Sequence, residues 1–225
     1  MDDIAEKGDL WFETPDSHSL CRGGTNGPQH PSQLYAIAKY VRRGDTFLDY
    51  GAGSATTAEA LKKADYLGVF IPKYLGLDVI KKNTEWCLDN FAEKNEYYEV
   101  DFKHNPTLHK IDQPDKSWDV VYSRHVVDHM DSFERAMDEH KRVAKRLVIV
   151  VGWVPFSNQD EHGIKNIDYR PSGGKLYPDE YTNSYSKKKV EEYLNDPEWE
   201  VIEFSEEVGV EVGGHDWLVV LRRKE

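Results

Sequence analysis

The chain has 225 residues, 29 of them basic and 41 acidic, for a formal net charge of −12. That length is one domain with room for a sizeable core. A mean hydropathy of −0.72 argues against a membrane-embedded chain, and 12% aromatic residues against a disordered one. The longest strongly apolar run, Leu147 to Val151, falls far short of the roughly 20 residues a membrane helix needs. The first residues, Met1-Asp2-Asp3-Ile4, are acidic where a secretory signal is basic. Two cysteines, Cys21 and Cys87, build neither a disulfide framework nor a Cys-rich zinc site, so a reduced, cytoplasmic setting is expected. Residues 160–211 hold 14 acidic and 6 basic side chains. Such a surface opposes a phosphate backbone, so nucleic acid is disfavoured as a partner.

Residues 1–29 read as irregular, with Pro15, Gly23, Gly24, Gly27 and Pro28. A helix is expected from Pro31-Ser32, with Leu34, Ile37, Ala38 and Val41 on one face and Gly44 as its stop. Thr46 to Tyr50 reads as a strand, running through Gly51-Ala52-Gly53-Ser54 into a helix from about Thr56 to Lys63. Tyr74–Asp78 is a second strand, Lys81–Ala92 a helix, and Tyr97–Val100 a third strand ending at Asp101. Trp118–Ser123 is a fourth strand, Ser132–Lys145 a helix, and Leu147–Val151 a fifth strand, apolar enough to be central. Ser186 caps a last helix, with Val190, Tyr193 and Leu194 on one face. Trp199–Phe204 and Asp216–Leu221 then pair as an antiparallel hairpin. Alternating strands and helices predict an α/β fold with a doubly wound, mostly parallel sheet and an antiparallel strand at its C-terminal end. The long connection Gly152–Tyr185 carries Trp153, Tyr169, Tyr177, Tyr181 and Tyr185; connections of that length are usually binding loops.

The most informative stretch is Phe47-Leu48-Asp49-Tyr50-Gly51-Ala52-Gly53-Ser54-Ala55. Gly51 and Gly53 lack a Cβ, so a ligand can lie against their backbone. In open α/β sheets ligands bind beyond the carboxyl ends of the strands. Asp78, 29 residues after Asp49, ends the second strand, where a carboxylate can accept from both hydroxyls of a ribose. Asp101 ends the third, where an adenine amine can be read. Acidic strand ends suit a nucleoside with a neutral or cationic tail and repel a pyrophosphate. The turn also lacks the lysine of a triphosphate cradle.

These motifs resemble the class I S-adenosylmethionine-dependent methyltransferases, in the small-molecule branch of the type 11/25 kind. Asp49-x-Gly51-x-Gly53 resembles their first motif, and Asp78 their ribose-binding acid. Trp118-Asp119-Val120-Val121-Tyr122-Ser123 through Asp128-His129-Met130 resembles a later one. The likeness covers about residues 44–151, with Ala55 in place of a third glycine and a long stretch, Ala64 to Tyr74, before Asp78. It implies a Rossmann-like sheet of seven strands in a single domain, 1–225. Residues 1–43 would be an arm and helix over the site, 44–151 the cofactor-binding core, 152–185 a substrate lid, and 186–225 the terminal helix and strands. The implied cofactor is S-adenosyl-L-methionine, leaving S-adenosyl-L-homocysteine as product. The implied binding set is Asp49, Gly51, Ala52, Gly53, Asp78, Val79, Asp101, Phe102, Ser123 and Arg124. Gly51 and Gly53 would approach the aminoacyl part. Asp101 and Phe102 would flank the adenine, and Ser123 and Arg124 the methyl donor.

The expected reaction is methyl transfer to O, N or C of a small-molecule acceptor by in-line displacement. The cofactor supplies the electrophile and the protein supplies alignment, which contributes about 7–11 kcal/mol. His125 and His129 follow the fourth strand and are the candidate bases, against a reading in which both only pack. Trp11, His18, Trp153, Tyr169 and Tyr177 are the candidate acceptor contacts, against one in which they dock the arm and loop. The nine histidines show no tight ligand spacing, so no metal is expected. Alternatives are methylation of a protein or RNA, and a non-catalytic S-adenosylmethionine-binding partner. No Asn/Asp-Pro-Pro-Tyr/Phe motif follows strand four, where Ser123-Arg124-His125-Val126 stands instead. A monomer or homodimer without a membrane partner is expected.

Overall fold

A computed structural model describes residues 31–64, 70–107, 110–127, 130, 132–153, 185–206 and 217–225. Helix α1 (Pro31–Tyr40) opens on Pro31, whose fixed φ suits the start of a helix. Strand β1 (Thr46–Tyr50) leads through the glycine turn into α2 (Thr56–Ala64). There follow β2 (Lys73–Asp78), α3 (Lys81–Phe91), β3 (Glu93–Lys94), β4 (Glu99–His104) and β5 (Trp118–Arg124). The rest is α4 (Phe133–Val143), β6 (Ala144–Trp153), α5 (Lys187–Leu194), β7 (Trp199–Glu206) and β8 (Trp217–Arg223).

The strands form one sheet in the order β3-β4-β2-β1-β5-β6-β8-β7. Strands β4, β2, β1, β5 and β6 are mutually parallel, and β8 is antiparallel to both β6 and β7. The parallel α/β architecture with an antiparallel C-terminal strand is therefore as the alternating pattern predicts. Among the described residues the count is eight strands rather than seven. The extra strand, β3, is a two-residue edge that pairs Glu93 with Val100 and Lys94 with Glu99. A tight turn makes it possible: the Asn95 side-chain oxygen accepts from the backbone N–H of both Tyr97 and Tyr98, at 2.8 and 3.1 Å.

That turn also corrects the third predicted strand. Tyr97 and Tyr98 belong to the turn, and β4 runs from Glu99 on to His104. Asp101 therefore lies in mid-strand, opposite Leu75, and the residue level with Asp78 is His104. The alternation Val100, Phe102, His104 against Glu99, Asp101, Lys103 carried this register. The other boundaries move less, although β6 starts at Ala144, directly after α4, and not at Leu147.

Each sheet face has its own apolar core. Leu48, Leu75, Leu77, Val121, Val148 and Val150 meet α4 and α5 through Phe133, Met137, Val190 and Leu194. Phe47, Tyr74, Phe102, Val120, Tyr122 and Ile149 meet α1, α2 and α3 through Ile37, Ala58, Leu61 and Cys87. Residues Leu147 to Val151 are all at most 1% exposed, because helices cover both faces of β6. Each such side chain contributes about 1.5–3 kcal/mol on burial. Among the described residues, no helix is long and apolar enough to cross a membrane.

The chain steps outward from β1 to β2 and β4, then returns to the other side of β1 with β5. The sheet therefore reverses direction between β1 and β5, where a crevice opens beyond the strand ends. Tyr50, Ser123 and Arg124 stand at that point.

Candidate cofactor and acceptor site

The glycine turn is fastened to the end of β2. Gly51 and Ala52 donate their backbone N–H groups to the Leu77 carbonyl, at 2.8 and 3.0 Å. Gly53 donates its N–H to Asp78 Oδ2 at 2.8 Å, while its carbonyl accepts from the Cys87 thiol at 3.1 Å. Asp78 Oδ1 accepts from the Ile80 N–H at 2.8 Å and from Asn83 Nδ2 at 3.4 Å. The Asp78 carboxylate thus joins the glycine turn to the start of α3. Burial pushes its pKa up, and the N–H groups of Ile80 and Gly53 oppose that rise.

The two glycines differ in what they leave open. A Cβ at Gly51 (φ +79°) would stand 2.2 Å from Val126 Cγ2, so a side chain of the protein already fills that space. At Gly53 (φ +51°) a Cβ would meet nothing within 4 Å among the described residues. The open approach to the turn is therefore over Gly53. Ala55 takes the third small position at φ +61° and is fully buried. Its left-handed backbone costs about 1–2 kcal/mol. The buried methyl offsets part of this, since about 0.8 kcal/mol attends each buried carbon. Gly51→Ala meets both a positive φ and a clash. It is expected to lower stability by about 2 kcal/mol or more and to abolish ligand binding at the turn. Chemical denaturation and calorimetry check this; unchanged stability would refute the packing of Val126 on the turn.

Asp49 does not face the crevice as a free carboxylate. It is 1% exposed and accepts from the Tyr74 hydroxyl at 2.7 Å, with the Thr57 hydroxyl also favouring its charged form. Burial pushes its pKa up to about 6, against the pull of those two hydroxyls and of Arg124. Its place is beneath the turn, holding β1 to β2 and to the first turn of α2.

At the end of β5, Ser123 is fully buried and its hydroxyl has no hydrogen-bond partner among the described residues. Arg124 follows, with Nη1 donating to Gln33 Oε1 at 3.1 Å. His125 has a left-handed backbone, φ +49°, and its N–H donates to the Val151 carbonyl at 3.0 Å. Its ring lies face-on over Gly152. A Cβ there would stand 2.5 Å from Cε1 and 2.7 Å from both ring nitrogens. Strained non-glycine backbone of this kind concentrates at functional sites.

On the adenine side the expectation needs correcting. Phe102 is 2% exposed and packs over Gly76, where a Cβ would meet its ring at 2.5 Å. It is core. Asp101 is held in mid-strand, with its carboxylate on the Phe102 N–H at 2.9 Å and 3.7 Å from Lys103. The strand-end positions belong to His104, 3.1 Å from the Val79 carbonyl, and to Asn105. Asn105 is fully buried and satisfied on every side. Its N–H donates to the Asp78 carbonyl, its amide to the Thr107 and Lys110 carbonyls, and its Oδ1 accepts from the Asp112 N–H.

His129, Trp11, His18, Tyr169 and Tyr177 lie outside the described residues. Trp153 ends β6, and only its backbone is described. Tyr185, grouped by sequence with the acceptor loop, is instead core: it is 1% exposed, stacks edge-on to Phe133 and donates its hydroxyl to the Met130 carbonyl. Sequence reasoning missed Gln33, Thr57, Tyr74 and Asn105. Only Tyr74 carried a signal, as a polar-tipped ring in a strand beside a buried acid.

The residues present fit a nucleoside bearing an amino-acid tail. The approach over Gly53 is open, Asp78 borders it, the Ser123 hydroxyl is buried without a partner, and Arg124 supplies a cation.

Residues 48–151 match the model of a methyltransferase domain family. No curated protein matches the chain. Among solved structures it is similar to a complex of the Haloferax volcanii Trm112 methyltransferase activator and a methyltransferase. The identity is 15%, the TM-score 0.67, and 98% of this chain and 96% of the other are covered. It is also similar to the 1,6-didemethyltoxoflavin-N1-methyltransferase of Burkholderia thailandensis with bound S-adenosylhomocysteine. There the identity is 11% and the TM-score 0.67, over 99% of this chain and 89% of that one. Magnesium protoporphyrin IX methyltransferase from Synechocystis, also with its S-adenosylhomocysteine, is 11% identical at a TM-score of 0.61, over 99% and 97%.

Proposed function

We propose that the chain, whose residues 48–151 match a methyltransferase domain, is a class I S-adenosylmethionine-dependent methyltransferase acting on O, N or C of a small-molecule acceptor by in-line displacement. The observation that carries this is the open face of Gly53 beside the buried Asp78 carboxylate, at the point where the sheet order reverses. When bound, S-adenosylmethionine supplies a methyl group on an electrophilic sulfonium.

The chain's own residues bind and orient. Asp78 accepts the ribose hydroxyls beside the Val79 backbone. Gly51, Ala52 and Gly53, held from below by Asp49, bound the aminoacyl part, with the approach over Gly53. Ser123 and Arg124 border the aminoacyl and methyl end. His104, rather than Asp101 and Phe102, borders the adenine, with Asn105 buried beneath it to hold the strand end. His125 faces the acceptor, where a ring nitrogen is the proposed proton acceptor. His129, Trp11, His18, Trp153, Tyr169 and Tyr177 remain its proposed neighbours. The net charge of −12 and the acidic C-terminal third support a small neutral or cationic acceptor over a polyanion. Two of the similar solved structures are named for small-molecule acceptors.

Calorimetry with S-adenosylmethionine and S-adenosylhomocysteine, followed by a methyl-transfer screen over a metabolite panel, tests the reading. Binding of both and transfer to one acceptor is the expected result. Absence of binding sinks the assignment, and binding without transfer to any metabolite sinks the small-molecule part. Once an acceptor is found, His125→Asn keeps a residue that tolerates the left-handed backbone. If His125 is the base, that change is expected to lower turnover by about 100-fold or more with cofactor affinity unchanged. An unchanged rate at saturating acceptor would return His125 to a packing role.

A further inference from the structure

Gln33 sits on α1, yet its side chain is fully buried between two elements of the cofactor site. Its Oε1 accepts from Arg124 Nη1 at 3.1 Å, and its Nε2 donates to Thr57 Oγ1 at 3.0 Å. The Asp49 carboxylate beyond it accepts from Tyr74, and Thr57 favours its charged form. Every bond in this chain has a fixed direction. A guanidinium only donates, so the amide must turn its oxygen to Arg124 and its N–H to Thr57. The Thr57 oxygen is then the acceptor for Gln33. A half-buried cation at the end of β5 is thus joined through one buried amide to a buried hydroxyl at the start of α2. Such a chain holds its members more firmly than separate pairs do, because each bond polarises the next.

We propose that Gln33 is a positioning residue for the cofactor site: α1 inserts its amide to fix the Arg124 guanidinium beside the bound S-adenosylmethionine. The inference rests on the reading that Arg124 borders the cofactor's aminoacyl end. It adds a task for α1 that covering the site does not require. The amide sets where a planar cation points, which a long flexible side chain at a strand end does not do alone. The charge it orients matches the α-carboxylate of the methionyl tail. A residue with the same volume and no oxygen packs equally well and removes this acceptor from Arg124.

The test is a double-variant cycle on the full chain, read by calorimetry with S-adenosylhomocysteine and by thermal unfolding. A hydrogen bond to a charged group is worth about tenfold or more in affinity. Gln33→Met is therefore expected to raise Kd about tenfold. Gln33→Glu retains an acceptor for Arg124 and is expected to restore Kd to within about threefold of the starting chain, an estimate on the same hydrogen-bond scale. Arg124→Met weakens binding on its own, and adding Gln33→Met to it changes Kd no further, since the residue it positions is gone. Effects that simply add, or a Gln33→Glu chain as weak as Gln33→Met, overturn the proposal by making Gln33 a packing residue. Starting-chain affinity in Gln33→Met beside a weakened Arg124→Met overturns the proposal alone. Starting-chain affinity in Arg124→Met overturns the placement of Arg124 and the proposal with it.

Discussion

Asp78→Ala is expected to weaken S-adenosylhomocysteine binding by about 100-fold and to lower folding stability by about 3 kcal/mol. The two losses come from different bonds. For stability, the carboxylate is the acceptor for the N–H groups of Gly53 and Ile80. Alanine takes the acceptor from both half-buried donors, at about 1–3 kcal/mol each at most. For affinity, a charged acceptor for the ribose goes, and with it the bond that fixes Gly53 at the open side of the turn. Denaturant unfolding and calorimetry, run well below the unfolding temperature, separate the two. A protein that loses stability but binds as before would confine Asp78 to fastening the turn. One that keeps its stability would contradict the hydrogen bonds drawn here. Asp78→Asn is the informative intermediate. Its Oδ1 keeps one backbone donor, but its NH2 then faces the other N–H, so its stability is expected between the two.

The turn itself was legible because its chemistry is local. Phe47 to Ala55 reads as strand, glycines and helix start in nine residues, and the structure places each as read. Asp78 was legible for the same reason, as the polar end of an apolar strand. What could not be read is which partner each polar atom takes. Asp49 resembles a site carboxylate by position, yet Tyr74 and Thr57 occupy it from two other elements. Gly51 looks like a place for ligand, yet Val126 from the loop after β5 fills it. Gln33 was invisible because its partners lie 24 and 91 residues away. Asp101 is a different failure. The alternation that places it in mid-strand was present in the sequence, and the pair of tyrosines before it, strong strand formers, pulled the boundary early. A side-chain oxygen two residues upstream of Tyr97 bends those tyrosines into a turn, overriding their propensity.

The same register that buries Asp49 beneath the turn creates a balance in acid that is expected to be measurable. Asp49 has its pKa pushed up to about 6 from an ordinary 3.8, chiefly by burial. Between those values the folded chain holds a proton the unfolded chain has lost, so its contribution to stability falls as pH rises. His140 lies on the other sheet face, fully buried, with Nδ1 2.6 Å from the Ala136 carbonyl and its ring edge-on to Tyr50. Burial pulls its pKa down to about 4 from 6.5. Between those values the unfolded chain holds the extra proton, so its contribution rises with pH. Each amounts to about 3 kcal/mol across its window, and between about pH 4 and 6 the two slopes oppose each other. Single variants should uncover them. Relative to the starting chain, Asp49→Asn should gain about 3 kcal/mol in stability between pH 4 and 7. His140→Leu should lose about as much over the same range, whatever its offset at any one pH. Denaturant unfolding at four or five pH values, with each variant's curve subtracted from the starting chain's, checks both. A flat difference curve for Asp49→Asn would mean that the hydroxyls of Tyr74 and Thr57, with the charge of Arg124, fully compensate burial. A flat curve for His140→Leu would mean that the ring protonates in the fold as readily as in water, through water reaching its Nε2.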